Sequence, residues 1–137
     1  MNKQKGQSLV EFTLVLPFFL LLIFGLIYTG MLFHDYSTLS TIARTAARDK
    51  AITIGVDDDD IIRRYYEDGH FKYALVTDLY RPGGAESTAP PMSIETTSEG
   101  DIKVTINMRL AADTSPLMEM VLPDKYSIVY HMRQDYN

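Results

Sequence analysis

The segment GQSLVEFTLVLPFFLLLIFGLIYTGMLF, residues 6–33, decides the fold of this chain. No charged side chain occurs from Phe12 to Phe33, and a helix of that length spans roughly 33 Å, enough to cross a hydrocarbon core of about 30 Å. A buried core helix is the alternative, but a domain of this size could hardly surround one on all sides. A secretory signal peptide fits less well, because its apolar region is typically about 7 to 15 residues and ends at a small-x-small site. We therefore predict a transmembrane helix over residues 7–33.

Basic residues on both sides of this segment bear on its orientation. Lys3 and Lys5 precede it, and Arg44, Arg48 and Lys50 follow it. Counting these charges does not settle the topology by the positive-inside rule, but the proximity of the two lysines to the apolar run favours a cytoplasmic N-terminus. We then expect the chain to cross the membrane once, with the residues after Phe33 outside the cytoplasm.

Pro17 lies inside the apolar run. It lacks the backbone N–H that a helix would use, and its ring clashes with the carbonyl four residues earlier, so we predict a kink near residues 13–17. Membrane helices tolerate such a proline better than soluble helices do.

The helical pattern continues beyond the apolar run, through HDYSTLSTIARTAARDKAI (34–52). Apolar residues recur there at spacings of three and four, which indicates an amphipathic helix. We predict one helix from about residue 8 to about 53, ended by Gly55. The residues of its apolar face are Leu32, Tyr36, Leu39, Ala43 and Ala46, with Ile42 and Ala47 alongside.

The second half of the chain predicts a small antiparallel sheet. The stretch DIKVTINMRL (101–110) alternates apolar and polar residues, as a strand with one buried face does. MSIETT (92–97), joined to it through Ser98, Glu99 and Gly100, predicts a hairpin. KYSIVYHMR (125–133) predicts a last strand. The fold class is therefore α+β, in which a helix that is half transmembrane and half amphipathic packs on a sheet of three or four strands.

Three further stretches give weaker signals. The four aspartates that begin at Asp57 predict the cap and first turn of a short helix over 58–67, because a calcium-binding EF-hand loop would need a glycine where Ile62 stands and a glutamate where Asp68 stands. Residues 71–80 fit either a helix or a strand, and 81–91 predict a loop. LMEMVLP (117–123) is interpreted as a core segment, with an exposed methionine-rich contact surface as the alternative.

The composition excludes several classes of function. A formal net charge of −5 without a basic face argues against nucleic-acid binding, and the absence of cysteine removes thiolate catalysis, disulfides and cysteine-ligated zinc. His34, His70 and His131 belong to no known catalytic or metal-binding motif. We therefore expect a protein that is not an enzyme and that needs no metal and no cofactor.

Glu11, at the mouth of the apolar run, calls for a separate explanation. At the edge of a membrane it could simply reach the headgroups at little cost. If the chain were cut after Gly6, however, Gln7 would become the new N-terminus and Glu11 the fifth residue. A free amine beside apolar surface could then pair with a carboxylate of a neighbouring subunit, and such a desolvated pair would fix the axial register between subunits more than it would add stability.

The same residues carry a resemblance to a known family. KGQSLVEF before a long apolar helix resembles the processing site of type IV prepilins, with a basic leader, a glycine, a glutamate five residues on and then an aromatic residue. The longer stretch GQSLVEFTLVLPFFLLLIFGLIYTG, running into STIARTAAR, is similar to the TadE-like family of minor pseudopilins from tight-adherence (Tad, or Flp) pili. The alternating strand, the Leu/Pro-rich stretch and YSIVYHMR also look like that family.

The resemblance implies a role for each residue that matches the motif. Gly6 would precede the scissile bond, Gln7 would follow it, and Glu11 would serve peptidase recognition or assembly. Phe12 would complete the motif, and Lys3 and Lys5 would be the charges of the leader. The implied organisation is a cytoplasmic leader (1–6), a transmembrane helix (7–33) and an extracytoplasmic, pilin-like α+β domain (34–137) that includes the continuation of the helix.

Two hypotheses of function follow. The first is a minor pseudopilin in the bacterial inner membrane, processed by prepilin peptidase, that acts in initiation or assembly of a tight-adherence pilus. Its implied partners are the peptidase, other pilins or pseudopilins, the assembly platform and the lipid bilayer. The second is a permanently anchored periplasmic binding module in which the motif is coincidental and Glu11 reaches the membrane interface.

Overall fold

The structure, a computed structural model, describes residues 3–53, 55–67, 74–83, 90–97 and 100–133. The chain divides into two compact units, Met1–Phe33 and His34–Asn137. A single helix, α1 (Lys3–Ile52), begins in the first unit and ends in the second. The elements that follow it are α2 (Asp58–Ile62), β1 (Tyr80–Pro82), β2 (Met92–Thr96), β3 (Ile102–Leu110), α3 (Pro116–Val121) and β4 (Lys125–Met132).

The first unit is the apolar half of α1. Among the described residues one helix, Gln7–Ile52, is long and apolar enough to cross a membrane, with a mean hydropathy of 2.5 over its most apolar window. None of that window is buried inside the protein, whereas the core helix of a soluble domain would be mostly covered. The observation is consistent with a single-pass membrane anchor.

The second unit packs the polar half of α1 on the sheet. Leu39, Ala43, Ala46 and Ala47 are fully buried, as their spacing predicted, whereas Tyr36 is half exposed. Three of the four buried residues are alanines, and short side chains let the helix approach the sheet closely. The guanidinium of Arg44 lies 5.6 Å from the centre of the Tyr130 ring, a cation–π contact between the helix and β4.

The sheet has four antiparallel strands arranged around β3. On one edge of β3, β2 pairs with its first half (Thr96 opposite Ile102) and β1 with its last three residues (Tyr80 opposite Leu110). β4 pairs along the other edge, from Met132 opposite Ile102 to Lys125 opposite Arg109. The alternation in β3 is confirmed, and its buried residues are Ile102, Val104, Ile106 and Met108.

Glycines with positive φ close two turns at the ends of these elements. Gly55 has φ +84° just after α1 ends at Ile52, which confirms the predicted helix end. Gly100, also at φ +84°, donates its N–H to the Thr97 carbonyl at 2.9 Å in the β2–β3 hairpin. The predicted hairpin is therefore confirmed by its strand pairing, although Ser98 and Glu99 lie outside the described residues.

Some predicted elements differ from those observed. The predicted helix over 58–67 is α2 followed by a π-helical turn, Arg63–Glu67, and Asp57 caps it by accepting a hydrogen bond from the Asp58 N–H at 2.8 Å. Of the ambiguous stretch 71–80, residues 71–73 lie outside the described residues and Tyr80 begins β1, so the strand extends into the predicted loop as far as Pro82. A proline fits there because β1 is an edge strand.

The preference for a buried LMEMVLP segment is wrong. These residues form α3, which contains no buried residue, and Leu117, Met120 and Val121 are 78%, 88% and 81% exposed. Pro116 at the start and the extended backbone at Leu122 limit the helix to six residues. So short an element, bounded by prolines, cannot bring its apolar side chains back onto the sheet.

Candidate functional site

The sequence motif Gly6–Phe12 lies in the first turns of α1. Gly6 and Gln7 are helical, and Lys3 and Lys5 lie in the turn before them, although their side chains are not among those described. A glycine inside a helix costs about 0.5–1 kcal/mol relative to alanine, and the first four N–H groups of any helix lack internal acceptors. The Gly6–Gln7 peptide bond therefore lies at the start of the helix, next to the N–H groups without internal acceptors.

Glu11 lies one turn beyond Gln7 on the same helix face. The Gln7 side-chain amide donates to the Glu11 carboxylate at 3.4 Å, a long and solvent-exposed contact. Residues four apart are neighbours on a helix, so a free amine on Gln7 would lie within reach of the Glu11 carboxylate of the same chain as well as that of a neighbour. Phe12, 65% exposed, contributes to the apolar surface that follows.

The threonine hydroxyls in the apolar half of α1 form hydrogen bonds to the backbone of the same helix. The hydroxyls of Thr13 and Thr29 each donate to the carbonyl four residues earlier, Leu9 and Gly25, at 2.8 Å. Satisfied hydroxyls of this kind are compatible with hydrocarbon, where an unpaired polar group costs several kcal/mol. Helix α1 is continuous through Pro17, and the predicted kink near that residue stays a prediction.

Asp35, at the start of the second unit, is a residue that the sequence analysis did not single out. Its side chain is 5% exposed and accepts the N–H of Val76 at 2.7 Å, the N–H of Thr77 at 2.9 Å and the Thr77 hydroxyl at 2.5 Å. Burial by itself raises the pKa of Asp35, but these hydrogen bonds and the contact with His34 outweigh it, so the pKa lies below its usual range. The carboxylate thus holds the segment before β1 against the helix.

Three tyrosines lie at the same end of the second unit. The rings of Tyr80 and Tyr126 meet edge to face with centres 4.7 Å apart, and the ring of Tyr36 lies 6.4 Å from that of Tyr126. The Tyr80 hydroxyl donates to the Pro123 carbonyl at 2.9 Å. Burial, then the charge of Asp35 and the two neighbouring tyrosines, raises the pKa of Tyr126 to about 12.

A second polar cluster ties the other end of α1 to α2. The Tyr65 hydroxyl donates to the Asp49 carboxylate at 2.5 Å, and Lys50 pairs with Asp58 at 2.6 Å while it also donates to the Val56 carbonyl. Burial, followed by the hydrogen bond to Asp49 and its charge, raises the pKa of Tyr65 to about 12. This cluster holds α2 and the turn that follows it against the last turns of α1.

The histidines that could serve in catalysis or metal binding do not form a site among the described residues. His34 is exposed beside Asp35, His131 is exposed on β4 and His70 lies outside the described residues. Within the ranges that the structure describes, no three His, Cys, Asp or Glu side chains are placed to hold a metal ion. A groove of about 330 Å³ is open to solvent and lined mainly by threonines and apolar residues: Thr38, Thr41, Ile42, Thr45, Tyr65 and Ala74.

Comparison with known proteins agrees with the resemblance noted in the sequence. The family model described as TadE-like protein matches residues 6–48, which run from the glycine of the motif into the amphipathic half of α1. No curated protein and no solved structure matches the chain. The match covers the N-terminal third of the chain, and this similarity indicates an association with the tight-adherence pilus.

Proposed function

We propose that this chain is a minor pseudopilin: a prepilin-like subunit of the bacterial inner membrane that prepilin peptidase cleaves after Gly6. Residues 1–6 are then the cytoplasmic leader, 7–33 the transmembrane helix and 34–137 the domain outside the cytoplasm. The observation that carries the proposal is the Gly6–Phe12 motif at the start of an exposed apolar helix, inside the region that matches the TadE-like family.

Cleavage would change the chemistry of the helix end. Hydrolysis of the Gly6–Gln7 bond adds one water, releases MNKQKG and leaves an amine on Gln7. Two lysines leave with the leader, so the new amine becomes the cation nearest to Glu11 along the chain. Beside apolar surface both charges are stable only when paired. A pair between adjacent subunits would set how far one helix slides along the next, which is the step that the proposal assigns to pilus initiation or assembly.

The partners follow from this assignment. The peptidase would bind the first turns of α1 around Gly6, other pilins or pseudopilins would pack against the apolar half of α1, and the assembly platform would receive the subunit in the membrane. The apolar segment has no acidic or basic side chain from Phe12 to Phe33, so lateral packing there depends on shape and not on charge.

The test is the intact mass of the full chain extracted from membranes of its own host, with and without the prepilin peptidase. We expect a species that lacks residues 1–6 only where the peptidase is present. Gly6→Val should abolish that species, because a branched side chain next to the scissile bond replaces the glycine. Gly25→Val is the matched control: it lies in the same helix, and a side chain there meets nothing within 4 Å.

Glu11→Ala separates recognition from assembly. If the glutamate acts in assembly, the variant is cleaved normally but no longer associates with other pilus subunits. If it acts in recognition, cleavage itself is lost. Full-length protein in both host strains, together with normal behaviour of Glu11→Ala, would refute the proposal. The result would instead indicate the permanently anchored module, with Glu11 as an ordinary interfacial acid.

A further inference from the structure

The exposed helix α3 presents an apolar face that none of the described residues of the second unit covers. At about 100° per residue, Leu117, Met120 and Val121 fall within one face about 100° wide, and Glu119 points to the opposite side. All three apolar side chains are more than three-quarters exposed. Helices that lie on a membrane surface have this arrangement, with an apolar face toward the acyl chains and charge toward water.

The location of α3 within the second unit is fixed by hydrogen bonds at both of its flanks. The N–H of Ala111, before the helix, donates to the Leu79 carbonyl at 2.8 Å, and the Pro123 carbonyl, after it, accepts the Tyr80 hydroxyl. Both partners, Leu79 and Tyr80, follow within three residues of Thr77, which is bound to Asp35. The α3 loop therefore lies at the end of the unit where α1 begins its polar half.

The direction of β4 supports the same location. Tyr126 lies beside Tyr36 and Tyr130 lies under Arg44, eight residues further along the helix. Eight helical residues rise about 12 Å and four strand residues about 13 Å, so β4 runs parallel to the helix. The start of β4, and the α3 loop that precedes it, consequently lie at the Tyr36 end, and Ile52 lies roughly 24 Å away along the helix.

We propose that α3 docks on the lipid surface of the membrane that anchors the chain, with Leu117, Met120 and Val121 between the headgroups. The proposal rests on the membrane anchor of the proposed function. His34 follows directly on Phe33, the last residue of the apolar run, so the end of the unit that carries α3 is the end from which the chain enters the bilayer. Tyr36, half exposed at that end, is of the residue type enriched at membrane interfaces.

The size of the patch favours lipid over a second copy of the chain. Three side chains fall well short of the about 800 Å² per partner that a stable protein interface buries. Contact with lipid needs no such area, because the anchor already holds the domain at the membrane and makes the second contact intramolecular.

The experiment uses depth-dependent fluorescence quenching of the full chain in phosphatidylcholine vesicles that contain nitroxide-labelled lipids. Because the chain has no cysteine, a single thiol-reactive fluorophore can be attached to each of three variants, Met120→Cys, Ile52→Cys and Leu22→Cys. Ile52 is the matched control, an exposed apolar residue at the far end of the unit, and Leu22 reports on the anchor itself. We expect a blue-shifted emission and lipid quenching at positions 22 and 120, and neither at position 52.

The outcomes separate the two proposals. Quenching at 22 without quenching at 120 overturns the docking of α3 and leaves the anchor intact, whereas no quenching at 22 overturns the anchor and the docking with it. If lipid quenching at 120 falls as the protein-to-lipid ratio rises, and an added oxidant links two unlabelled Met120→Cys chains through a disulfide, the face belongs to a second copy, which also overturns the proposal. Adding Leu117→Asp and Val121→Asp should reduce quenching at 120 to the level at 52, with the near-ultraviolet circular dichroism of the tyrosines unchanged.

Discussion

Replacing Asp35 by alanine should be among the most damaging single substitutions in the second unit. The carboxylate is buried and is the acceptor for three donors that lie more than 40 residues further along the chain. Alanine would remove the acceptor and leave the donors in place. The segment that leads into β1 would then lose the group that attaches it to α1.

The size of the effect follows from the burial of the three donors. Val76 is 54% exposed, so water can replace the carboxylate at its N–H with little loss. Thr77 is 9% exposed, so its N–H and its hydroxyl would both be left unpaired. An unsatisfied buried donor costs about 1–3 kcal/mol, which for two gives a loss of about 2–6 kcal/mol in the free energy of unfolding.

The measurement is urea unfolding of the full chain in detergent micelles, followed by the near-ultraviolet circular dichroism of the tyrosines; the chain contains no tryptophan. Asp113→Ala is the matched control. Asp113 also pairs with a side chain far away in sequence, Arg81 at 3.0 Å, but both groups are exposed and such pairs contribute about 0–1 kcal/mol. Equal losses for the two variants would refute the reasoning, because burial would then not decide the cost.

The same carboxylate gives a pH dependence. Because hydrogen bonds hold the pKa of Asp35 below its unfolded value of about 3.9, its contribution is present above that value and is lost as the pH falls through the folded pKa. Asp35→Asn should therefore lower the stability near neutral pH and flatten the acid limb of the stability curve. An acid limb as steep as that of the unmodified chain would show that Asp35 does not contribute to it.

Two other substitutions test the packing and the tyrosine cluster. Ala46→Leu should destabilise the second unit by about 1–3 kcal/mol in the same urea experiment, because Ala46 is fully buried between helix and sheet. Thr45→Leu, on the exposed face of the helix, is the control and should change the stability little. Equal effects of the two substitutions would contradict the close approach of α1 to the sheet. Tyr126→Phe should reduce the loss of stability between pH 10 and 12. A tyrosine whose pKa is raised to about 12 stays neutral in the folded chain, whereas it ionises near pH 10 when the chain is unfolded. An unchanged alkaline limb of the stability curve would show that Tyr126 is not responsible for this loss.

Periodicity predicted the elements whose stability depends on their own burial pattern. The apolar run, the buried face around Leu39, Ala43 and Ala46 and the alternation in β3 are confirmed, because a residue's position on a helix or strand face follows from the period alone. Gly55 and Gly100 were identified for a similar local reason, since a positive φ favours a residue without a side chain. The motif formed by Gly6, Gln7, Glu11 and Phe12 was also identified from the sequence, and cleavage after Gly6 stays a prediction.

Sequence alone thus determined the long helix, the α+β class and the family resemblance, all of which depend on residues near one another in the chain. Only the tertiary structure decided that Asp35 is buried against Thr77, that Tyr80 to Pro82 form an edge strand and that α3 stands exposed. Each of these depends on which distant segment lies alongside. The sequence does not show that Asp35 is buried, because its hydrogen-bond donors come from residues more than 40 positions away. The sequence likewise does not show that α3 is exposed, because that depends on whether another part of the fold packs against it.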